Sequence, residues 1–435
     1  MSKSEQLFEQ ALQVLPGGVS RNTIFRKPHP FYAEKGEGCY VTDIEGVSRI
    51  DFANNMASLI HGHAYPAIVD AVSEQLTKGS CFTMATESEV NYAQLLCDRV
   101  PSFDKIRFVN SGTEAVMAML KASRAYTGKA KIAKVEGAYH GAYDYAEVSQ
   151  TANPSNWGDI DKPSSIPVAV GTPEKALDDV VVIPFNDIDR AINILNQHKD
   201  EIACILVDLL PHRVGLIPAD NDFINALYQW TRDNQSLLVF DEVITFRTNF
   251  AGAQQNYEVK PDLTAMGKVI GGGFPAGALA GSDEVMKVLD PTQEKVLLPH
   301  SGTFSANPIT MTAGYAAMKD FDQGAVTKLN DLAIYAKEQI NQAIAEVGIN
   351  ACVTGAGSMF RIHLKATPPK NYREAYISKQ EGLLINKLLD HLFDNGIMMI
   401  NTCSATLSTA MGKKEIDTLV AALKDGFEML KPDMA

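Results

Sequence analysis

Apolar positions in the first fifteen residues recur at helical spacing, with Leu7, Phe8, Ala11, Leu12 and Leu15 on one face. This predicts a short amphipathic helix, which the Pro-Gly-Gly-Val at 16–19 ends. Residues 31–52 alternate and turn, with EKGEG and DIEG as turn signals, and predict a small antiparallel meander. From about residue 66 the rhythm changes. Helical patterns at 66–78, 88–100 and 112–127 alternate with the short apolar runs KIRFV, KIAKV, VVVIPF, IACILVDL and LLVFD. Buried strands between helices mean βα units, and hence a mostly parallel, doubly wound α/β sheet covered on both faces. That rhythm lasts to about residue 310. Beyond it, helical patterns at 325–347, 380–395 and 413–430 surround SMFRIHL and GIMMIN, a compact α+β unit. The expected organisation is an N-terminal segment at 1–60 that joins a smaller α+β domain, a large α/β domain at 61–310, and the rest of the small domain at 311–435. Segment 147–175 is rich in Pro, Ser, Asn and Gly and reads as a long surface loop, of a length that often forms a lid.

Composition narrows the function classes. The chain has 435 residues, 46% hydrophobic and 21% charged, which excludes a disordered, collagen-like or disulfide-stapled chain. Its 39 basic and 52 acidic residues give a net charge of −13, unsuited to broad contact with nucleic acid or anionic lipid. A local cationic pocket for one small anion is still compatible with it. Cysteines 39, 81, 97, 204, 352 and 403 are scattered with no CxxC pair, as expected of thiols in a reducing compartment. The start, MSKSEQLFEQALQ, lacks the apolar stretch of a secretory signal, and no apolar run approaches about 18 residues. A cytoplasmic protein with no membrane or nucleic-acid partner is therefore expected.

Four places could carry chemistry. In VNSGTEAVMAML (109–120) an apolar strand end runs through Ser111, Gly112 and Thr113 into a helix. Hydroxyls, a glycine and a helix N-terminus together make a phosphate cup. The same residues would also serve as an ordinary N-cap with a glycine turn. In LLVFDEVIT (237–245) Asp241 sits at the carboxyl end of a buried strand, where open parallel sheets bind ligands. An acid there needs a cation or a donor, such as a protonated ring nitrogen, unless it merely caps the next helix. In TAMGKVIGGGFPAGALAG (264–281) Lys268 precedes three glycines that leave room for a flat ligand. A partly buried lysine loses basicity and can act as a Schiff-base nucleophile. In EGAYHGAYDY (136–145) Tyr139 and His140 follow a strand, and the aromatic could stack on a ring or pack in the core.

The order of these signals, together with PGGVSR, HGHAYP, FVNSGTEAVMAMLKASRAYTG, EGAYHG, LLVFDEVITFR, PDLTAMGKVIGGGFPAGALAG and SGTFSANPITMTAG, resembles the class III aminotransferases. These are fold-type I enzymes dependent on pyridoxal 5'-phosphate. The nearest branch holds glutamate-1-semialdehyde aminomutase and the β-amino-acid and D-phenylglycine aminotransferases. The resemblance implies that Lys268 forms the Schiff base and moves the proton, and that Asp241 pairs with the pyridinium nitrogen. It places Tyr139, with its neighbour His140, on one face of the ring and Val243 on the other. Ser111, Gly112 and Thr113 would hold the phosphate. Thr303 would reach the phosphate of a neighbouring subunit, which implies a homodimer with shared active sites.

The departures concern specificity. The family's strand-end Glu-Pro is here Asp208-Leu209, one methylene shorter toward the cofactor. Arg213 stands where aminomutases have an Asn near the cofactor's 3′-oxygen, and could donate there or clamp a substrate anion. Arg21, in GGVSR, matches the N-terminal arginine of β-amino-acid aminotransferases, with Arg26 as a nearby rival. In INTCSATLSTAM (400–411) Cys403 or a neighbour stands where aminomutases have a glutamate and β-amino-acid enzymes an arginine. His61 and His63, in IHGHAYP, read as a structural turn and not as metal ligands. The expected activity is transfer of an amino group from a β- or aromatic amino acid, or an amine, to a keto acid or aldehyde. The competing expectation is an amino shift within one molecule, as in the aminomutase.

Overall fold

The computed structural model describes residues 1–434. The N-terminal helix spans Lys3–Val14 and begins with a capping box between Ser2 and Glu5. The meander follows as β1 (Ala33–Glu37), β2 (Tyr40–Asp43) and β3 (Ser48–Asp51). Next come β4 (Lys105–Val109) and β5 (Lys131–Val135), then a small hairpin of β6 (Gly158–Asp159) and β7 (Lys162–Pro163). The succeeding strands are β8 (Val180–Ile183), β9 (Ile202–Val207), β10 (Leu237–Asp241), β11 (Leu263–Gly267) and β12 (Gly277–Gly281).

Seven of these form one sheet in the order β4-β12-β11-β10-β9-β5-β8. β8, β5, β9, β10 and β11 run parallel, and β12 is antiparallel to both of its neighbours. Every residue of β9 and β10 is buried, as expected of central strands covered on both faces. The helix Gly112–Thr127 lies on one face and buries Val116, Met119 and Leu120. On the other face Phe223, Leu227 and Trp230 of the helix Asn221–Asp233 pack toward Ile205, Val207 and Phe240.

The remaining strands are β13 (Cys352–Thr354), β14 (Met359–His363), β15 (Ile397–Met398) and β16 (Ser404–Thr406). β13, β14 and β16 form an antiparallel sheet, while β15 pairs in parallel with β3 of the meander. The two chain ends thus share a sheet. The long helix Gln323–Val347 packs on the helix Lys413–Leu430 and against β13 and β14.

Two differences from the sequence reading stand out. LTAMG and GALAG are full strands, although small residues dominate them. A Cβ on Gly277 would lie 2.1 Å from Ser111 O, so only glycine lets β12 run that close to the cup. Segment 147–175 is only partly a surface loop. Ser149, Gln150 and Ala152 are buried. The Tyr372 hydroxyl donates to Ala152 O at 2.6 Å, and Arg373 binds the carbonyls of Trp157, Gly158 and Asp159 while pairing with Glu136.

Candidate active site

Strand register brings the acids together. Val207 of β9 pairs with Phe240 of β10, so Asp208 and Asp241 leave neighbouring strands side by side. Both are buried. Asp241 Oδ1 accepts from Val243 N at 2.9 Å, and its Oδ2 lies 2.8 Å from His140 Nδ1. Burial holds the imidazole of His140 below its usual pKa, more than Asp241 raises it. His140 Nδ1 thus faces the Asp241 carboxyl group, while its Nε2 is buried without a partner among the described residues. Burial and the neighbouring Asp241 push the Asp208 carboxyl well above the usual range, against the pull of Lys268. Asp208 Oδ1 accepts from Leu210 N at 2.9 Å.

Lys268 follows β11, in which Ala265 pairs with Asp241. It is half-buried, with φ of 51°, a left-handed conformation unusual for a lysine. Burial lowers its pKa, and Asp241 and Asp208 partly restore it. Among the described residues its amine forms no ion pair or hydrogen bond.

The cup has the expected build. Ser111 is the N-cap of the helix Gly112–Thr127, and its Oγ accepts from Glu114 N at 3.1 Å. Capping uses a lone pair and leaves the hydroxyl hydrogen free, so the N-cap role does not exclude the phosphate role. A Cβ on Gly112 would sit 2.6 Å from Val243 Cγ1, and one on Gly141 would sit 2.5 Å from Thr113 Oγ1. These two glycines let the Val243 segment and the Tyr139–His140 loop close against the cup. Tyr139 is 50% exposed, which separates it from a core aromatic. Thr303 is exposed, beside Phe304 at 57%.

The arginines differ in their commitments. Arg26 forms an ion pair with Asp390 and stacks 4.0 Å over the Phe393 ring. Arg21 Nη1 donates to Asn55 Oδ1 at 2.8 Å and meets no carboxylate among the described residues. Arg213 lies against the Tyr372 hydroxyl, near Lys134 and Arg361, also without an ion pair among the described residues. Its segment is strapped to the C-terminal strands and the turn before β16. Arg361 Nη1 donates to His212 O at 3.1 Å, Thr402 Oγ1 lies 3.0 Å from His212 Nε2, and Thr354 Oγ1 donates to Gly215 O at 2.5 Å. Cys403 is buried in the turn before β16, its thiol pushed up to about 12 by burial. His61 bonds Thr409 and Ala317 O, and His63 bonds Asp51.

Sequence reasoning missed three charged residues around the site. Lys134, inside KIAKV, is fully buried and donates to Ala138 O at 3.0 Å and Val148 O at 2.6 Å, bracketing the Tyr139–His140 loop. Arg361 straps the Arg213 segment. Arg247, also fully buried, donates to Ser358 Oγ, Ala57 O and Leu407 O. A charge within an apolar run was the available signal for Lys134 and Arg361, and Arg247 had none.

Comparison with known proteins agrees with this geometry. Residues 24–425 match the family Aminotransferase class-III. A glutamate-1-semialdehyde 2,1-aminomutase of Methanocaldococcus jannaschii is 36% identical over 434 residues, 99% of each chain. An ω-transaminase from Sphaerobacter thermophilus superposes with a TM-score of 0.96 at 45% identity, covering 98% of this chain and 97% of that one. A β-phenylalanine aminotransferase from Variovorax paradoxus superposes at 0.88 with 32% identity, covering 98% and 94%. The chain belongs to the class III aminotransferases and is a fold-type I enzyme that works with pyridoxal phosphate.

Proposed function

We propose that this enzyme transfers an amino group from a β- or aromatic amino acid to a separate keto acid or aldehyde. The observation that carries this reading is the make-up of the pocket flank. Segment 400–411 holds no acidic residue, and its Cys403 is buried, whereas Arg21 and Arg213 have no carboxylate partner among the described residues. An amino shift within one molecule requires a diamine held through two transfers, for which an acid on this flank would be the natural holder. A free arginine suits a donor carboxylate instead. The 45% identity to an ω-transaminase points the same way.

The residues fit the cofactor. Lys268 offers an unpartnered amine of lowered pKa, Asp241 a buried carboxylate, and Gly112 a cup that a Cβ would fill. Pyridoxal phosphate supplies an electron sink and a temporary home for the amino group. Ser111, Gly112 and Thr113 would hold its phosphate through hydroxyls and helix N–H groups. Asp241 would pair with its ring nitrogen, and His140 orients that carboxyl group. Tyr139 and Val243 would flank the ring. Asp208, beside Asp241, would line the cofactor site from the next strand. Lys268 Nζ takes the proton from the donor's amino-bearing carbon and later returns one to the acceptor. Arg21 takes the donor carboxylate, and Arg213 lines the opposite side of the pocket.

The working unit in this reading is a homodimer. Phe304 beside Thr303, Phe82, Met84 and Leu12 of the N-terminal helix are exposed on the single chain, apolar groups that a partner chain would cover. Thr303 of each chain then faces its partner's cup.

The test is a visible spectrum of the purified holoenzyme titrated with α-, β- and aromatic amino acids, simple amines and glutamate-1-semialdehyde. Loss of the cofactor's visible absorbance with β- or aromatic donors, restored by a keto acid, is expected. Several relatives are named aminomutases, so turnover of glutamate-1-semialdehyde alone without an acceptor would overturn the transferase reading.

A further inference from the structure

Asn54, Asn55, Met56 and Ala57 have φ of 44°, 46°, 56° and 70°, four consecutive non-glycine residues in the left-handed region. L-residues visit that region singly, so a whole left-handed turn persists only where its surroundings over-determine it. Here they do. Asp51 Oδ1 accepts from Ala53 N and Asn54 N, each at 2.9 Å. Asn54 Nδ2 donates to Thr406 O at 2.7 Å, and Arg247 Nη1 to Ala57 O at 3.2 Å.

Asn55 is the one exposed member of the turn, and its amide is oriented. Ser58 Oγ donates to Asn55 O at 2.9 Å, so it must accept from Asn55 Nδ2 at 3.1 Å. That turns Asn55 Oδ1 toward Arg21 Nη1, 2.8 Å away. The turn borders the site. Arg247, which holds Ala57, is close enough for its charge to act on Lys268. Leu59 Cδ2 lies 3.2 Å from where a Cβ on Gly273 would be, in the glycine run after Lys268.

We infer that Asn55 is a positioning residue for donor recognition, with its left-handed turn aiming Arg21 at the carboxylate of the amino donor. One nitrogen of the guanidinium is tied to a neutral acceptor, which fixes its plane without neutralising it, and the others stay free for the anion. The inference rests on the proposed role of Arg21.

Three variants test it, each titrated with a carboxylate-bearing donor and with a carboxylate-free amine. Asn55→Gly accepts positive φ, so the fold should keep its melting temperature or gain slightly. It should raise KM for the carboxylate donor about tenfold, with a smaller change in kcat, because one hydrogen bond to a charged group is lost. Asn55→Asp should raise that KM further by setting an anion against Arg21, and should leave half-saturation by the amine unchanged. Unchanged KM in both Asn55 variants, with a raised KM in Arg21→Ala, would overturn the inference and keep Arg21 as the clamp. An unchanged KM in Arg21→Ala would overturn the role of Arg21 and the inference with it. An equal rise for the amine donor would make Asn55 merely structural.

Discussion

The flank built from the two chain ends is bonded to the carboxyl edge of the large sheet, and the two hold their charges by different means. On the edge, Asp208, Asp241 and Lys268 are set by the register of three neighbouring strands. Backbone pairing fixes where each side chain starts, and one short bond, His140 to Asp241, finishes the job. On the flank, position comes from side chains that reach across the chain. Arg361 reaches His212 O, 149 residues away in sequence, and Arg247 reaches Leu407 O, 160 residues away. The proposed chemistry sits on the edge, and the proposed donor contacts sit on the flank.

The largest test of this division is Lys268→Ala against Arg213→Ala. Loss of Lys268 removes the proton-transfer group, so kcat should fall at least about a thousandfold. Arg213→Ala should act mainly on KM, by roughly tenfold, as for one charge-assisted bond. Steady-state kinetics with saturating acceptor separate the two. A kcat loss in Arg213→Ala as deep as that of Lys268→Ala would erase the division between edge and flank.

The same division decides what could be read from sequence. KIRFV, KIAKV, IACILVDL and LLVFD became β4, β5, β9 and β10 because β-branched, apolar runs declare themselves locally. Asp241 stood out because it ends such a run, and Lys268 because three glycines follow it. β11 and β12 were not, since small residues give no local strand signal, and their state follows from burial between partners. The buried start of segment 147–175 was hidden for a similar reason. Its composition is that of a loop, and the residues that bury it, Tyr372 and Arg373, lie some 220 residues on. The left-handed turn at 54–57 had no signature beyond two asparagines.

Protonation sharpens the contrast. Under the edge, burial raises the Glu242 carboxyl to about 7, and it accepts from Ala253 N and Gln254 N. The folded state therefore binds a proton that the unfolded state releases. This contribution to stability grows as pH falls from about 7 toward the ordinary carboxylate range. On the flank, His363 and His212 are pushed down to about 3, chiefly by burial and then by the Arg361 charge. Both are neutral in either state above the ordinary histidine pKa. Below it the unfolded state takes protons that the folded state refuses, so each costs about 1.4 kcal/mol per pH unit until about pH 3. Denaturant unfolding of wild type, Glu242→Gln and His363→Gln at pH 7 and pH 5 reads the two signs. His363→Gln should lose less stability than wild type on acidification, and Glu242→Gln more. The same pH dependence in all three would remove the contrast.

The finest test lies within the flank. Arg21 and Arg26 are five residues apart, and sequence alone could not separate them. The structure commits Arg26 to Asp390 and to the face of Phe393, both on the helix Lys379–Asp394, while Arg21 is held by a neutral amide. The Arg26 pair is partly exposed, 27% for the arginine and 65% for the aspartate, so solvent screens it. Arg26→Met keeps an unbranched chain over the ring and loses only the charge. Its stability should fall by about 1 kcal/mol or less, read by denaturant midpoint, because exposed pairs and exposed cation–π contacts are each worth no more. The donor KM should move less than twofold, since no group of the cofactor edge depends on that pair. A KM rise matching that of Arg21→Ala would exchange the roles of the two arginines. It would also mean that the ion pair with Asp390 opens when the donor binds, and the flank would then be a moving part of the site and not a fixed wall.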